Sequence, residues 1–203
     1  MTSHYFSAAK QAQPGELIDV PVQVRGLDLA CVAAPQVFSS HRLDLGTKVL
    51  LTEMEEPPAD GNFLDLGCGW GPIAAVLATL RPQAKVWAVD VNPRALDLTA
   101  KNARKLGLDN IFPGEEETTY QQVLEADLRF DFLCSNPPVR IGKGPMQQLT
   151  RRWLERLSDQ GVAWLVMAKN LGADSYIKWL NEQGFNARKA HSKKGYRIIE
   201  VRR

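Results

Sequence analysis

The chain has 203 residues, 44% of them hydrophobic and 24% charged, and a formal net charge of +2. It is long enough for one well-buried domain and short for two, its balance is that of a soluble globular protein, and no apolar run approaches the roughly 20 residues of a membrane span. The opening Met1-Thr2-Ser3-His4-Tyr5-Phe6 lacks the basic segment and apolar stretch of a secretory signal, so a cytoplasmic location is expected.

Taken in order, Leu17 to Val24 and Leu27 to Ala34 alternate apolar and polar residues around Arg25-Gly26, which predicts an antiparallel pair. A helix is expected from Asp44, its N-cap, to about Met54. The stretch Glu55-Glu56-Pro57-Pro58-Ala59-Asp60-Gly61 reads as a linker. Residues 1–60 are therefore expected to be a short β/α extension packed on a core of residues 61–203, the whole forming a single domain.

Beyond the linker the pattern becomes strand, turn, helix, repeated. Asn62 to Leu66 reads as a strand and Gly71 to Leu80 as a helix, with Ile73, Val76, Leu77 and Leu80 on one face. Lys85 to Val89 is a second strand, followed by a helix that opens at Pro93 and stops at Gly107. A short strand over Ile111 to Pro113, a weak helix near Thr118 to Ala126 and a strand over Phe130 to Cys134 come next. Pro145 to Leu157 predicts a helix, Gly161 to Ala168 the longest apolar strand and Ala173 to Gln183 another helix. Phe185 to His191 with Tyr196 to Arg202 predicts a closing hairpin. This alternation is that of an α/β fold, a doubly wound and mostly parallel sheet, with the C-terminal hairpin adding an antiparallel edge. Trp153, Trp164 and Trp179 are expected in the core, and Trp70 and Trp87 in packing positions.

The small net charge hides an asymmetry. Residues 1–139 hold 11 Lys and Arg against 18 Asp and Glu, and residues 140–203 hold 14 against 5. A basic C-terminal third fits either solvated helix faces or a surface that meets nucleic-acid phosphates. The three cysteines, Cys31, Cys68 and Cys134, are scattered and read as reduced thiols. His4, His41 and His191 lie apart from them and from each other, so no metal site is expected.

In a doubly wound sheet, ligands bind beyond the carboxyl ends of the strands where strand order reverses, and every motif of interest ends a strand. In Asp65-Leu66-Gly67-Cys68-Gly69-Trp70-Gly71 the glycines allow a sharp turn and close approach to a ligand at the positive end of the next helix, and Asp65 can orient an ammonium group. Asp90, ending the second strand, suits ribose hydroxyls. Both features would also serve a dinucleotide. Asn136-Pro137-Pro138 separates the readings. An exocyclic amine delocalises its lone pair into the ring and reacts only when acceptors bind its hydrogens. The Asn136 side-chain oxygen and the Pro137 carbonyl could be those acceptors, fixed by two consecutive prolines. Arg140 and Lys143, in the loop that follows, can meet phosphates or the rim of a substrate pocket.

Together with Val37-Phe38-Ser39, Leu43-Asp44-Leu45-Gly46-Thr47, Val89-Asp90-Val91-Asn92 and Lys194-Gly195-Tyr196-Arg197, these runs give the chain a resemblance to class I S-adenosylmethionine-dependent methyltransferases. It resembles the small-domain group that includes the ribosomal RNA guanine-N2 methyltransferases, over nearly its whole length. The resemblance implies a Rossmann-like fold, S-adenosyl-L-methionine as cofactor, RNA as partner, and an in-line displacement that needs neither metal nor covalent intermediate. It assigns the cofactor to Asp65, Gly67, Cys68, Gly69, Asp90, Val91 and Asn136, with Glu115, or its neighbour Glu116, at the adenine amino group. Asn136 and Pro137 would be catalytic, and Phe38, Pro138, Arg140, Lys143 and Tyr196 would meet the substrate. Val139 stands where related enzymes often carry Tyr or Phe, so stacking on the base either comes from elsewhere, with Phe38, Tyr5 and Tyr196 as the candidates, or is weaker. Related full-length enzymes also carry a second, degenerate copy of the domain, and recognition of RNA by that route is not expected. The same signature serves enzymes acting on DNA adenine and protein glutamine. Two further readings stay open: a non-catalytic cofactor-binding module, and an NAD-dependent oxidoreductase, which Gly71-Pro72 and the want of a hydride-transfer residue disfavour.

Overall fold

The computed structural model describes residues 11–203. Strands β1 (Ile18–Val24) and β2 (Leu27–Ala33) form the expected hairpin, paired from Ile18 with Ala33 to Val24 with Leu27. Helix α1 (Leu45–Glu53) begins at Asp44, whose carboxylate accepts the Thr47 N–H at 2.9 Å. The alternating units follow as β3 (Asn62–Leu66), α2 (Pro72–Leu80), β4 (Lys85–Asp90), α3 (Pro93–Leu106), β5 (Ile111–Glu115), α4 (Glu116–Glu125) and β6 (Phe130–Ser135). The chain closes with α5 (Lys143–Leu154), β7 (Leu157–Ala168), α6 (Ala173–Glu182), β8 (Asn186–Lys193) and β9 (Tyr196–Arg202).

The seven strands from β3 onward form one sheet in the order β5-β4-β3-β6-β7-β9-β8. β5 through β7 are parallel, and β9 runs antiparallel to both β7 and β8. The antiparallel strand is therefore interior. The C-terminal hairpin closes this edge of the sheet as an antiparallel pair, as expected, with β9 beside β7 and β8 outermost and parallel to the other strands. Burial explains the choice: Ile198, Ile199 and Val201 of β9 are fully buried, whereas β8 is mostly exposed.

Alternate residues of each strand point to opposite faces. On one face, Phe63 of β3 and Phe132 and Cys134 of β6 share a cluster with α1, α2, α3 and the β1–β2 hairpin. On the other, Leu64 of β3 and Phe130 and Leu133 of β6 pack with α4, α5 and α6. Asn102 of α3 ties the hairpin down, accepting from Val32 N at 2.7 Å and donating to Val32 O at 2.8 Å. The linker is held by Arg81, whose guanidinium donates to the Pro57 and Pro58 carbonyls and to Glu56.

Two boundaries differ from expectation. Leu157, read as the end of a helix, starts β7 opposite Phe130, because the register slips between Phe130 and Phe132 and lets an early segment of β7 pair. Gly161 permits this: a Cβ there would lie 2.6 Å from the Phe130 carbonyl. Helix α4 starts at Glu116, two residues early, because Glu115 caps it. Trp153 and Trp164 are core residues as expected, but Trp179 is only partly buried, stacked on Tyr176 at 5.4 Å.

Candidate active site

Strand order reverses between β3 and β6, which pair in register from Phe63 with Phe132 to Leu66 with Ser135. The glycine-rich turn and Asn136-Pro137-Pro138 thus leave the sheet side by side, and the Pro138 ring lies 4.0 Å from where a Gly67 Cβ would be. Gly67, Gly69 and Gly71 all have positive φ (77°, 58° and 84°), which only glycine adopts without strain. Gly69 faces open space, while a Cβ on Gly71 would meet Thr99 Oγ1 at 2.8 Å. Gly71 is there for packing of α2 on α3, and Gly69 leaves room for a ligand.

The N–H groups of this turn point inward. Gly67 N and Cys68 N donate to Val89 O, Gly71 N to Cys68 O, and Gly69 N to Asp90 Oδ2 at 2.9 Å. Ala74 N, in the first turn of α2, donates to Asp65 Oδ2 at 2.9 Å. Where a dinucleotide fold offers free N–H groups and a helix dipole to a pyrophosphate, this one has engaged the N–H groups of Gly67, Cys68, Gly69 and Gly71 and set a carboxyl group at the helix end. Asp65 is fully buried, and its Oδ1 has no hydrogen-bond partner. Burial raises the Asp65 carboxyl to about 8, with the neighbouring Asp90 adding to the rise and the Ala74 hydrogen bond opposing it. An orphaned carboxyl oxygen beside an open glycine suits a cationic group. Cys68 is another matter. Its side chain is buried against Thr99 Oγ1 at 3.5 Å, and burial holds its thiol well above the usual range, so it offers a ligand neither side chain nor N–H.

Asp90 ends β4. Its Oδ1 accepts Asn92 N at 2.9 Å, fixing the carboxylate beside Gly69, and burial raises its pKa. Asn92 caps α3 through Arg94 N at 3.0 Å, so Asp90 is not needed there. Val91 projects from the same strand end with 55% of its surface exposed. Glu115 is level with Asp90 in the sheet, but its carboxylate caps α4, accepting from Thr118 N at 2.8 Å and Thr118 Oγ1 at 2.7 Å, which lowers its pKa. Glu116 is buried and turned to the other face of the sheet, where it accepts from Arg152 and from the Trp153 indole.

At the end of β6 the Asn136 amide is gripped from α1. Its Nδ2 donates to Asp44 Oδ2 at 2.9 Å and to Thr47 Oγ1 at 3.1 Å. Both amide hydrogens are thereby engaged, which fixes the flip of the amide and leaves Oδ1 as its open acceptor. Pro138, with φ −75° and ψ 73°, makes an inverse γ-turn in which Pro137 O accepts Val139 N at 2.8 Å. That carbonyl keeps one lone pair and little freedom. In sequence Asp44 reads as an N-cap and, with Thr47, as part of a run that carries the resemblance, but neither residue is assigned a contact with Asn136. The signal was Gly46, a helix glycine that costs about 1 kcal/mol against alanine. A Cβ there would lie 2.8 Å from the Tyr196 ring.

The rim gathers the remaining candidates unevenly. Phe38 is 56% exposed in a loop anchored beside the cofactor-side residues through Ser39 O to the Trp70 indole at 3.3 Å and Gln36 O to Asn92 Nδ2 at 3.3 Å. Tyr196 is partly buried over Gly46. Arg140 and Lys143 are exposed just past Pro138, Lys143 opening α5 without an acidic residue in that first turn. Tyr5 lies outside the described residues. Among the described residues no helix is long and apolar enough to cross a membrane, and no group of three or more His, Cys, Asp or Glu is placed to hold a metal.

A sequence model of the methyltransferase small domain matches residues 28–200. The chain is 31% identical over 207 residues to YbxB, an uncharacterized protein of Bacillus subtilis, with both chains covered in full. It is 34% identical over 139 residues to ribosomal RNA small subunit methyltransferase C of Aeromonas hydrophila, covering 68% of this chain and 38% of that one. Among solved structures, the Thermus thermophilus 16S rRNA N2 G1207 methyltransferase, in complex with AdoMet and guanosine, superposes with a TM-score of 0.79 at 22% identity, over 95% of this chain and 52% of the other. A ribosomal protein L11 methylase from Lactobacillus delbrueckii shares the fold at a TM-score of 0.61 and 21% identity, over 80% of this chain and 84% of that one. The chain thus spans the whole of one relative and about half or less of the two rRNA methyltransferases. Resemblance at this level fixes the fold without choosing between RNA and protein substrates.

Proposed function

Because the chain belongs to the methyltransferase small domain family and is an S-adenosylmethionine-dependent methyltransferase, we propose that it methylates an exocyclic nitrogen, guanine N2 of ribosomal-type RNA being its substrate. The observation that carries this reading is the Asn136 amide, pinned through both its hydrogens by Asp44 and Thr47 so that its oxygen is presented at the end of β6. A group so fixed is suited to accepting from an amine and unsuited to flipping into a donor.

When bound, the cofactor supplies an activated methyl group. The residues present fit it: the free oxygen of Asp65 would take its ammonium group, Gly67 and Gly69 would give its methionine part room, Asp90 would take the ribose hydroxyls, and Val91 would pack against the base, with Glu115 at the adenine edge. Asn136 Oδ1 and Pro137 O accept the hydrogens of the target amine and draw its lone pair out of conjugation with the ring. The Asp44 carboxylate, bonded to the far end of the same amide, polarises it and strengthens Oδ1 as an acceptor. The amine's surplus proton then leaves to solvent. Most of the acceleration comes from fixed geometry and fixed dipoles, which require no rearrangement during reaction.

Phe38, with its exposed ring, provides the stacking surface that Val139 cannot, and Pro138 and Tyr196 bound the pocket. Arg140 and Lys143 favour a polyanionic substrate, which supports RNA over a protein side chain. The test is Asn136→Ala, which should lower kcat by about a hundredfold or more while leaving affinity for S-adenosylhomocysteine unchanged. Wild-type turnover in that variant would remove Asn136 from the mechanism.

A further inference from the structure

The basic C-terminal third of the chain divides sharply once ion pairs are traced. Arg151, Arg152 and Arg156 pair with acids around α5, and Arg188, Lys193 and Arg197 with acids around the C-terminal hairpin. Beyond Asn136, the cations without an acidic partner among the described residues are Arg140, Lys143, Lys169, Lys189 and Lys194. Lys189 lies on the edge strand. The other four are exposed and converge on the carboxyl ends of the parallel strands, the end that carries Asn136: Arg140 and Lys143 after β6, Lys169 after β7, and Lys194 in the β8–β9 turn.

Lys169 and Lys194 line one cavity, of about 520 Å³, with Ala168, Asn170, Gly195 and Tyr196. Its shape is fixed by backbone. Lys169 N donates to Gly195 O at 2.9 Å, and Ala168 pairs with Tyr196, so the exit of β7 is zipped to the hairpin turn. That turn holds Lys194 at φ 50° and Gly195 at φ 83°, the left-handed pair of a two-residue hairpin. Among the described residues no acid lines the cavity, and two lysine ammonium groups, which only donate, beside an amide that can also donate suit an anion. The wall it shares with the active site is Tyr196, whose ring covers Gly46, one residue from the Thr47 that holds Asn136. From β6 to β9 is two strand spacings, on the order of 10 Å, the reach from a base edge to a neighbouring phosphate.

We propose that this cavity seats the backbone phosphodiester beside the target nucleotide, Lys169 and Lys194 supplying the charge, so that the enzyme takes its base as an unstacked nucleotide of an RNA strand and not as a free nucleoside. The proposal rests on the RNA reading above and adds the subsite. A single small anion would leave Arg140 and Lys143 without purpose, whereas a strand crossing the ends of β6, β7 and β9 meets all four.

The test compares wild type with K169Q/K194Q and with K85Q, a lysine exposed and unpaired at the opposite end of the sheet, in binding a mixed-sequence single-stranded RNA oligonucleotide over a salt series. Each lost phosphate contact should lower the slope of log affinity against log salt by about 0.7. K169Q/K194Q is expected to lose about 1.4 in slope, with thermal stability and S-adenosylhomocysteine affinity unchanged, and K85Q to match wild type. A wild-type slope in K169Q/K194Q, with RNA still bound, overturns the subsite and leaves the RNA reading standing. Wild-type protein that binds no RNA at any salt overturns both.

Discussion

A carboxyl group sealed beneath a glycine turn with one oxygen unpartnered is a poor choice for stability and a good one for a cationic ligand. The Asp65 carboxyl, raised by burial to about 8, keeps a proton in the folded protein that the unfolded chain has lost above its ordinary 3.8. Its stabilising contribution is present at low pH and is lost as pH rises through that window. Melting of the ligand-free protein followed between about pH 5 and 8 should therefore show a smaller decline in Asp65→Asn, which keeps an oxygen for Ala74; parallel curves would show that Asp65 does not titrate there. At Asp44 the expectation is graded. Asp44→Ala frees the Asn136 amide and should cut kcat about a hundredfold, the usual cost of misplacing a reacting group. Asp44→Asn keeps an acceptor for Asn136 and Thr47 N and should restore most of the loss, with KM little changed in both. Equal loss in the two variants would mean that the charge of Asp44, and not its hold on the amide, is what matters. Sequence spacing made Asp65, Asp90 and Asn136 legible because each ends an apolar strand. The contact of Asp44 with Asn136 was not legible, since the two lie 92 positions apart and its local sign is no more than a helix glycine, Gly46.

Among the elements, strands and helices were readable where period and punctuation agree, as in α2 with its aliphatic face or α3 between Pro93 and Gly107. They failed at the α5–β7 junction, where Leu157 continues a helical spacing but pairs with Phe130 because Gly161 lets the backbone close in. The run Glu115-Glu116-Glu117 shows the same limit. Three like side chains in sequence have three fates: Glu115 caps α4, Glu116 is buried under Arg152 and Trp153, and Glu117 meets Arg152 at the surface. Glu116→Ala strands the Trp153 N–H and should cost about 2 to 3 kcal/mol, the range for a hydrogen-bonded buried charge, read as a lower denaturant midpoint with cofactor affinity retained. Glu115→Ala should cost only about 1 kcal/mol as a lost cap but weaken binding of S-adenosylhomocysteine. If Glu115→Ala binds it as wild type does, the adenine edge is held by something else.

At the scale of the whole molecule, the position of the site follows from strand order alone. β3 and β6 meet at the reversal, and the 64 residues between Gly71 and Asn136 collapse to a crossover between neighbouring strands. The alternation of strands and helices announced the parallel sheet, but not that β9 would enter between β7 and β8. Interior and edge strands of a hairpin differ by burial on both faces, which a short run of mixed residues expresses weakly. The charge asymmetry was likewise visible in sequence, whereas its meaning was not, since most of those cations neutralise acids and, among the described residues, four of the five left without an acidic partner lie at the strand ends that carry Asn136. The most direct test of the central claim is methyl transfer from labelled S-adenosylmethionine to separated RNA, DNA and protein fractions, followed by nucleoside analysis of the product. N2-methylguanosine in RNA, formed by wild type and absent with Asn136→Ala, is the predicted result; label in protein or DNA, or RNA methylated at a ring carbon or a ribose oxygen, would contradict it.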